Sequence, residues 1–414
     1  MDHNKLLDLA IDLGCRLQLT GAETYRVEES VTRLLAAYGV QGEAYSIPNC
    51  LIVSLQTEDG ANLTRMRRVD RHGTDLDLLE QYSGVSRRLC AERPPLSQAT
   101  AILDAARARS RQYKLWQYLL GCALASAGFA LFFKGTMPDA VAAALGGILC
   151  GLCSYAMDSL HTNEFFKTVL DAFLVAACGY GLALAGLVRN MDAAIIGPLT
   201  MLVPGFLFTN SMRDIIYGDT MSGVNRVVQV FIISAAIAIG TGFALGLGQM
   251  IWGFVPDGGL SRIYSAPTQC LIALISCLGF CILFNIHGLW GMLLCTFGSA
   301  LGWGAYLGAS AVGFPDSGAY LLAAVAISAY AEAMARIRKY PATSYLVISL
   351  FPLFPGAYLY YGLSAGLVGN MSAFSSNMLY AAETAGSLAV GVLLVSSLTR
   401  MWGIWKKRKG VKLP

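Results

Sequence analysis

The sequence predicts an α-helical polytopic membrane protein: ten spans, arranged as two inverted five-helix repeats with broken helices, behind an N-terminal cytoplasmic α+β domain. Three observations predict it. The chain is 55% hydrophobic with a mean hydropathy of +0.54, too apolar for a soluble domain. Charge is uneven: residues 1–114 hold 15 Lys/Arg and 15 Asp/Glu, and the remaining 300 residues hold only 26 charged side chains. Finally, a Pro-Gly pair sits mid-way in each of two 25-residue apolar stretches, Ala193 to Tyr217 and Ala342 to Gly366. The pairs, Pro204-Gly205 and Pro355-Gly356, lie 151 residues apart.

The polar segment comes first. Leu6 to Leu19 reads as a helix, and Thr20 with Glu23 three residues on reads as the capping box of a second. Val27, Val31, Leu34, Leu35 and Tyr38 form its apolar stripe, and Gly39 ends it. Ala44 to Ile47, Leu51 to Gln56 and Ala61 to Met66 read as short strands. Two helices follow, near 75–92 and 97–113, separated by Pro94-Pro95, with the second running into the first span. The first 20 residues mix charges with Leu and Ile and show no signal peptide, which keeps this domain cytoplasmic.

Ten spans are predicted near 115–133, 138–157, 168–187, 193–217, 223–251, 266–284, 289–311, 318–335, 342–366 and 378–402. With the N-terminus inside, inner loops and tail hold twelve Lys/Arg (Lys167, Arg213, Arg226, Arg336, Arg338, Lys339, Arg400, Lys406, Lys407, Arg408, Lys409, Lys412). Outer loops hold three: Lys134, Arg189 and Arg262. This asymmetry places both termini on the cytoplasmic side of the membrane. The domain boundaries that follow are 1–113, 114–252, 265–403 and a basic tail at 404–414.

The 151-residue offset also superposes Gly128-Phe129 on Gly279-Phe280, Gly147 on Gly298, Gly151 on Gly302 and Tyr155 on Tyr306. Five spans per repeat force the second repeat to enter the membrane upside down. Inverted repeats with matched mid-span breaks point to a secondary transporter. Small residues four apart (Gly147 and Gly151, Gly298 and Gly302, Gly304 and Gly308, Gly242 and Gly246) predict close helix packing.

Proline removes a backbone donor and clashes one turn back, so each stretch should break at its Pro-Gly. Helices restarting there would expose amides at Phe206, Leu207 and Phe208, and at Ala357, Tyr358 and Leu359. Helix N-termini attract carboxylates, and two opposed ends at mid-membrane would suit a small carboxylate-bearing substrate such as an amino acid or a dicarboxylate. A packing kink is the bland alternative. Pro204, Gly205, Phe206, Asn210, Pro355, Gly356 and Tyr358 are therefore the candidate substrate-binding residues. Asp214, Asp219, Arg226 and Glu383 are candidates for ion or proton coupling, Glu383 being the deepest carboxylate of the last span. Asp171 is a weaker one, and Glu332 with Arg336 reads as a structural pair.

Other chemistry is not indicated. The 11 cysteines suggest no disulfide framework, and Cys150 and Cys153 read as packing residues within a span. Asp158, His161 and Glu164 match no standard metal spacing, and no Walker A motif is present. No cofactor or nucleic-acid partner is expected. The expected partners are the solute, protons and the bilayer, with homo-oligomerisation compatible. A hydrolase in the N-terminal domain would draw on Cys15, Ser46, Cys50 or Ser54 with His3 or His72, without a nucleophile elbow. A gating role for that domain fits better.

The run Gly21-Ala22-Glu23-Thr24-Tyr25-Arg26-Val27-Glu28-Glu29 resembles the signature of the threonine/serine exporter family. The likeness continues through the first Pro-Gly span to Asn210, Asp214, Asp219, Ser222-Gly223 and Arg226, and covers essentially the whole chain. It implies an N-terminal domain before two homologous membrane halves, fused here with a join near 252–265. It marks Gly21, Glu23, Arg26 and Glu28 as motif residues. Members are associated with proton-motive-force-driven export of threonine and serine, and a split form with succinate export.

Overall fold

The computed structural model describes residues 2–69, 73–253, 261–338 and 340–408. His72, Lys339, Lys409, Lys412 and residues 254–260 of the expected join lie outside the described residues.

The N-terminal segment folds as helices α1 (His3–Leu19) and α2 (Thr24–Ala37), strands β1 (Gly42–Ile47), β2 (Cys50–Gln56) and β3 (Asn62–Arg68), then α3 (Leu76–Glu92) and α4 (Leu96–Arg109). The strands form an antiparallel sheet in chain order. Alternation places Leu51, Val53 and Leu55 of β2 against the helices, all at most 1% exposed. Each such side chain contributes about 2 kcal/mol relative to leaving it in water. Exposed β3 is tied to α1 by charge: Arg65 pairs with Asp8, and Arg67 with Asp12 at 2.7 Å.

Two expectations need correction. Thr20 ends α1 instead of starting α2, its hydroxyl donating to Leu17 O, and Glu23 is the N-cap of α2 without a side-chain capping bond. Gly21, at φ +89°, makes the turn between them, and a Cβ there would lie 3.0 Å from Gly73 O. Glu23 is freed from capping because its carboxylate is drawn to distant partners described below. Second, α4 stops at Arg109 and does not run into the first span: residues 110–114 are non-helical. Arg111 and Tyr113 in this linker instead hold the membrane part, Asn285 Nδ2 donating to Arg111 O and Tyr113 Oη donating to Ile286 O.

The membrane part contains α5 (Leu115–Phe132), α6 (Met137–Ser159), α7 (Glu164–Leu184), α8 (Met191–Leu199), α9 (Gly205–Tyr217), α10 (Thr220–Trp252), α11 (Ala266–Leu283), α12 (Leu289–Ala311), α13 (Asp316–Arg338), α14 (Ala342–Leu350), α15 (Gly356–Leu367) and α16 (Met371–Arg408). Among the described residues, eight of these are long and apolar enough to cross a membrane. The pair α14–α15, bent by 50° and joined through a 3-10 turn at Phe351–Leu353, makes a ninth if taken as one span. The short helices α8 and α9 flank the other break.

Helices α5 and α11 pack antiparallel through small residues. A Cβ on Gly279 would lie 2.4 Å from Ala125 N, and one on Gly128 would lie 2.7 Å from Ser276 Cα. Gly147 and Gly298 likewise seat hydroxyls: a Cβ there would lie 2.2 Å from Ser126 Oγ and 2.0 Å from Ser349 Oγ. Gly242, Gly246 and Gly308 differ from expectation: each faces open space, so these positions do not bring helices together within the chain.

Candidate functional site

Both breaks restart their helix at the glycine. Pro204 is the N-cap of α9 and Pro355 the N-cap of α15. Phe208 N–H donates to Pro204 O, and Leu359 N–H to Pro355 O. Those two amides are therefore committed, contrary to the sequence reading, because the cap carbonyl accepts from the fourth residue on. The uncommitted first-turn amides are those of Phe206 and Leu207 in α9, and of Gly356, Ala357 and Tyr358 in α15.

The two breaks touch. A Cβ on Gly205 would lie 2.9 Å from Phe354 Cβ and 3.4 Å from Gly356 N, and one on Gly356 would lie 2.9 Å from Val203 Cγ1. Only glycines allow this approach of two backbones. Above the crossing lies a cavity of about 320 Å³, within the usual range for small-molecule sites. Gly205, Phe206, Gly356 and Tyr358 line it, with Phe129, Trp303 and Tyr320 as aromatic walls. Lys134, Arg262 and Tyr264 lie at its rim, where Arg262 N–H donates to Lys134 O and Tyr264 Oη to Gly135 O. The cavity thus combines helix N-termini, cations and aromatic surface, a set suited to a small carboxylate carrying some apolar bulk.

Phe206 and Phe354 form the floor, their rings 5.8 Å apart. Both also line a void of only about 10 Å³ beneath, with Asn210, Arg213, Thr343 and Glu23. That volume is about one water molecule, so the space between this floor and Glu23 has no room for a solute.

Glu23 seals that closed end. Its carboxylate accepts from Thr343 Oγ1 at 2.9 Å and pairs with Arg26 at 3.0 Å and Arg213 at 3.4 Å. Glu23 is 5% exposed and Arg213 7%. Burial pushes the carboxyl up, but Arg26 and Arg213 outweigh it and bring it down to about 2. Arg213 belongs to α9 and Thr343 to α14, so one side chain joins elements of both broken helices. Around it, Tyr25 lies against the Arg213 and Arg400 guanidiniums, Ser222 Oγ donates to Ser46 O, and Arg226 bridges Asp214 at 2.9 Å and Thr24 Oγ1 at 3.4 Å. Glu28 accepts from Ser46 N–H, fixing β1 beside this cluster.

The predicted residues therefore divide. Gly205, Phe206, Gly356 and Tyr358 share the large cavity, with Pro204 and Pro355 as its helix caps. Asn210 lies below the floor. Glu23, Arg26, Glu28, Asp214 and Arg226 gather at the closed end, with Asp219 partly exposed on its margin, while Gly21 lies in the preceding turn against Gly73 and Thr74. Glu383 stands apart, on an exposed face of α16 and in the lining of neither space. Thr343, Phe354, Lys134 and Arg262 were not singled out as site residues. Lys134 and Arg262 were visible as outer-loop exceptions to the charge asymmetry, whereas nothing in the local sequence marks Thr343 as a partner of Glu23. Of the thiols considered for hydrolysis, Cys15 is 4% exposed and pushed up to about 11 by burial, the setting of an inert thiol. No group of His, Cys, Asp and Glu among the described residues has the makings of a metal site.

A family model described as "Putative threonine/serine exporter" matches residues 8–248, more than half of the chain. A second, "Threonine/Serine exporter, ThrE", matches residues 269–398. The chain belongs to the threonine/serine exporter family. It is 24% identical over 403 residues to the "Probable threonine/serine exporter" of Mycobacterium tuberculosis, covering 94% of this chain and 75% of the relative. It is 22% identical over 412 residues to the "Threonine/serine exporter" of Corynebacterium glutamicum, covering 96% and 84%. The "Probable succinate transporter subunit YjjP" of Escherichia coli is 24% identical over 246 residues, 59% of this chain and 94% of that one. No solved structure matches the chain. Family membership and the apolar helices make this a multi-pass membrane protein and a membrane exporter.

Proposed function

We propose that this exporter moves small carboxylate-bearing solutes, threonine and serine first and succinate as the alternative, driven by the proton motive force. The observation that carries the reading is the meeting of two helix N-termini on one cavity, at Gly205 and Gly356. A carboxylate there accepts from first-turn amides, while the aromatic walls take the remaining bulk. The names of the two full-length relatives favour the amino acids. The rim cations Lys134 and Arg262, with the third relative's name, favour the dicarboxylate.

The architecture we propose is ten spans in two inverted repeats, 114–252 and 265–403, after a domain at 1–113. The contacts support it pairwise. Adding or subtracting 151 turns the Gly205–Phe354 contact into Gly356–Val203, and the Gly279–Ala125 contact into Gly128–Ser276. A pseudo-two-fold axis at the crossing of the breaks accounts for both. With the N-terminal domain on the cytoplasmic side, the cavity opens outward and Glu23 closes the inner end. Transport then alternates access by rocking one repeat against the other, with undocking of Glu23 from Arg213 and Thr343 opening the inner side. Asp214, Asp219, Arg226 and Glu383 remain the coupling candidates.

The test is counterflow in proteoliposomes loaded with threonine, serine or succinate, with and without an imposed pH gradient. Accumulation of one labelled solute, enhanced by the gradient, is expected. Absence of flux for all three would overturn the substrate class.

A further inference from the structure

A second cavity, about 360 Å³, lies where the N-terminal segment meets the membrane helices, and it shares no lining residue with the first. The N-terminal side contributes Asp77 and Glu80 of α3, with Arg109 and Arg111 near the end of α4. The membrane side contributes His287 of the α11–α12 turn, Arg338 at the end of α13 and Ser344 of α14. Two buried polar atoms in this lining lack a hydrogen-bond partner: Arg338 Nη1 and Ser344 Oγ, the latter on a residue only 9% exposed. Buried donors are nearly always satisfied, so two unsatisfied ones in one cavity mark where a ligand's acceptor atoms belong. Arg109 and Arg111 add cationic charge, and neither guanidinium is ion-paired among the described residues. Asp77, by contrast, is engaged by the Arg111 N–H at 3.2 Å, and His287 Nε2 lies 2.9 Å from both Arg111 O and Asn285 Oδ1. The buried unsatisfied atoms are therefore donors, with the Glu80 carboxyl as the lining's acceptor, and a fork-shaped guanidinium beside a hydroxyl is a carboxylate-binding set.

We propose that this cavity is a regulatory carboxylate site, in which Arg338 and Ser344 hold a small carboxylate and lock the N-terminal segment onto α14. The coupling route is short. Ser344 follows Thr343, the residue that donates to Glu23. A ligand bridging Arg109 or Arg111 to Arg338 and Ser344 stabilises the same docked arrangement that Glu23 holds. The site goes beyond the transport reading, because it lies apart from the crossing of the breaks. On the orientation proposed above, it samples solute on the cytoplasmic side.

The experiment is equilibrium binding of labelled succinate, threonine and inorganic phosphate to the purified full chain in detergent. It compares wild type with Arg338→Gln, Ser344→Ala and Gly205→Val. Wild type is expected to bind one of the two carboxylates. Arg338→Gln and Ser344→Ala are expected to weaken that binding about tenfold or more, and Gly205→Val to leave this component in place. Circular dichroism and gel filtration check that each variant is folded, and Ser344→Ala, which removes one oxygen, guards against collapse of Arg338→Gln. Unchanged carboxylate binding in both Arg338→Gln and Ser344→Ala overturns the site. So does binding of phosphate with neither carboxylate, or binding of nothing. Flux in the same preparations separates this from the transport reading: wild-type flux with unaltered binding in Arg338→Gln removes the regulatory site alone.

Discussion

Thr343 donates a hydrogen bond to Glu23 at 2.9 Å across 320 residues of sequence. That bond, with the Glu23–Arg213 pair, ties the N-terminal segment to both broken helices at the closed end of the chain. Neither partner is exposed, so the contact is held in a low-dielectric setting where its loss is felt.

Glu23→Gln is expected to destabilise the docked chain by about 3 kcal/mol at neutral pH, because it leaves buried Arg213 with a weaker partner. The folded carboxyl lies at about 2, below its ordinary 4.5. Its contribution is therefore present above about 4.5 and lost as pH falls through about 2. Denaturant unfolding in detergent at neutral and acid pH measures this. Equal stability of variant and wild type at neutral pH would remove Glu23 as a fastening.

At the crossing, Gly205→Ala is expected to be harsher than Gly356→Ala. The new methyl of the first meets Phe354 Cβ and the Gly356 backbone, whereas that of the second meets only the side chain of Val203. Overpacking of this kind costs about 1–3 kcal/mol, or about tenfold in flux if the breaks must approach during transport. Initial export rates at matched membrane abundance decide it. Rates equal to wild type in both variants would mean that the close approach is incidental.

Coupling is tested by Glu383→Gln beside Asp171→Asn. Glu383 is exposed on α16, while Asp171 is fully buried and accepts from Ser154 Oγ at 2.6 Å. If Glu383 carries the proton, its variant loses the stimulation of flux by a pH gradient while retaining downhill exchange. Stimulation kept in Glu383→Gln and lost in Asp171→Asn would transfer the role.

Glu80 gives the second cavity a pH signature. Burial, with help from Asp77, pushes its carboxyl up to about 7, against the opposing pull of Arg87 and Arg338. Arg109, Arg111 and His287 line the same cavity. A raised carboxyl contributes stability below about 4.5 that is lost as pH rises through about 7. The added negative charge should also weaken carboxylate binding over the same window. Binding by wild type is expected to fall as pH rises through about 7, and Glu80→Gln to flatten the profile. A profile identical in the two proteins would separate Glu80 from the site.

Much of this was legible in the chain. The breaks at Pro204 and Pro355 follow from proline's missing N–H, and the strand alternation at Leu51, Val53 and Leu55 from a period of two. Hydropathy located the membrane helices to within a few residues for most, because a run of apolar residues has one low-energy setting in lipid. The Thr20–Glu23 spacing misled because a capping box is a local rule, and Glu23 answers to charges from other helices. Glu383 stood out by its depth in a span, yet depth does not say which face of a helix a residue occupies.

Residue order alone shows where helices form and where two of them break, since these depend on local backbone chemistry and on hydrophobicity. The tertiary structure decided that Gly205 and Gly356 meet, that Lys134 and Arg262 line the rim of the same cavity, and that Glu23 reaches Arg213 and Thr343. Those are contacts between residues far apart in the chain. They arise only when helix packing brings the elements together, and no local pattern of residue types encodes the distance between them.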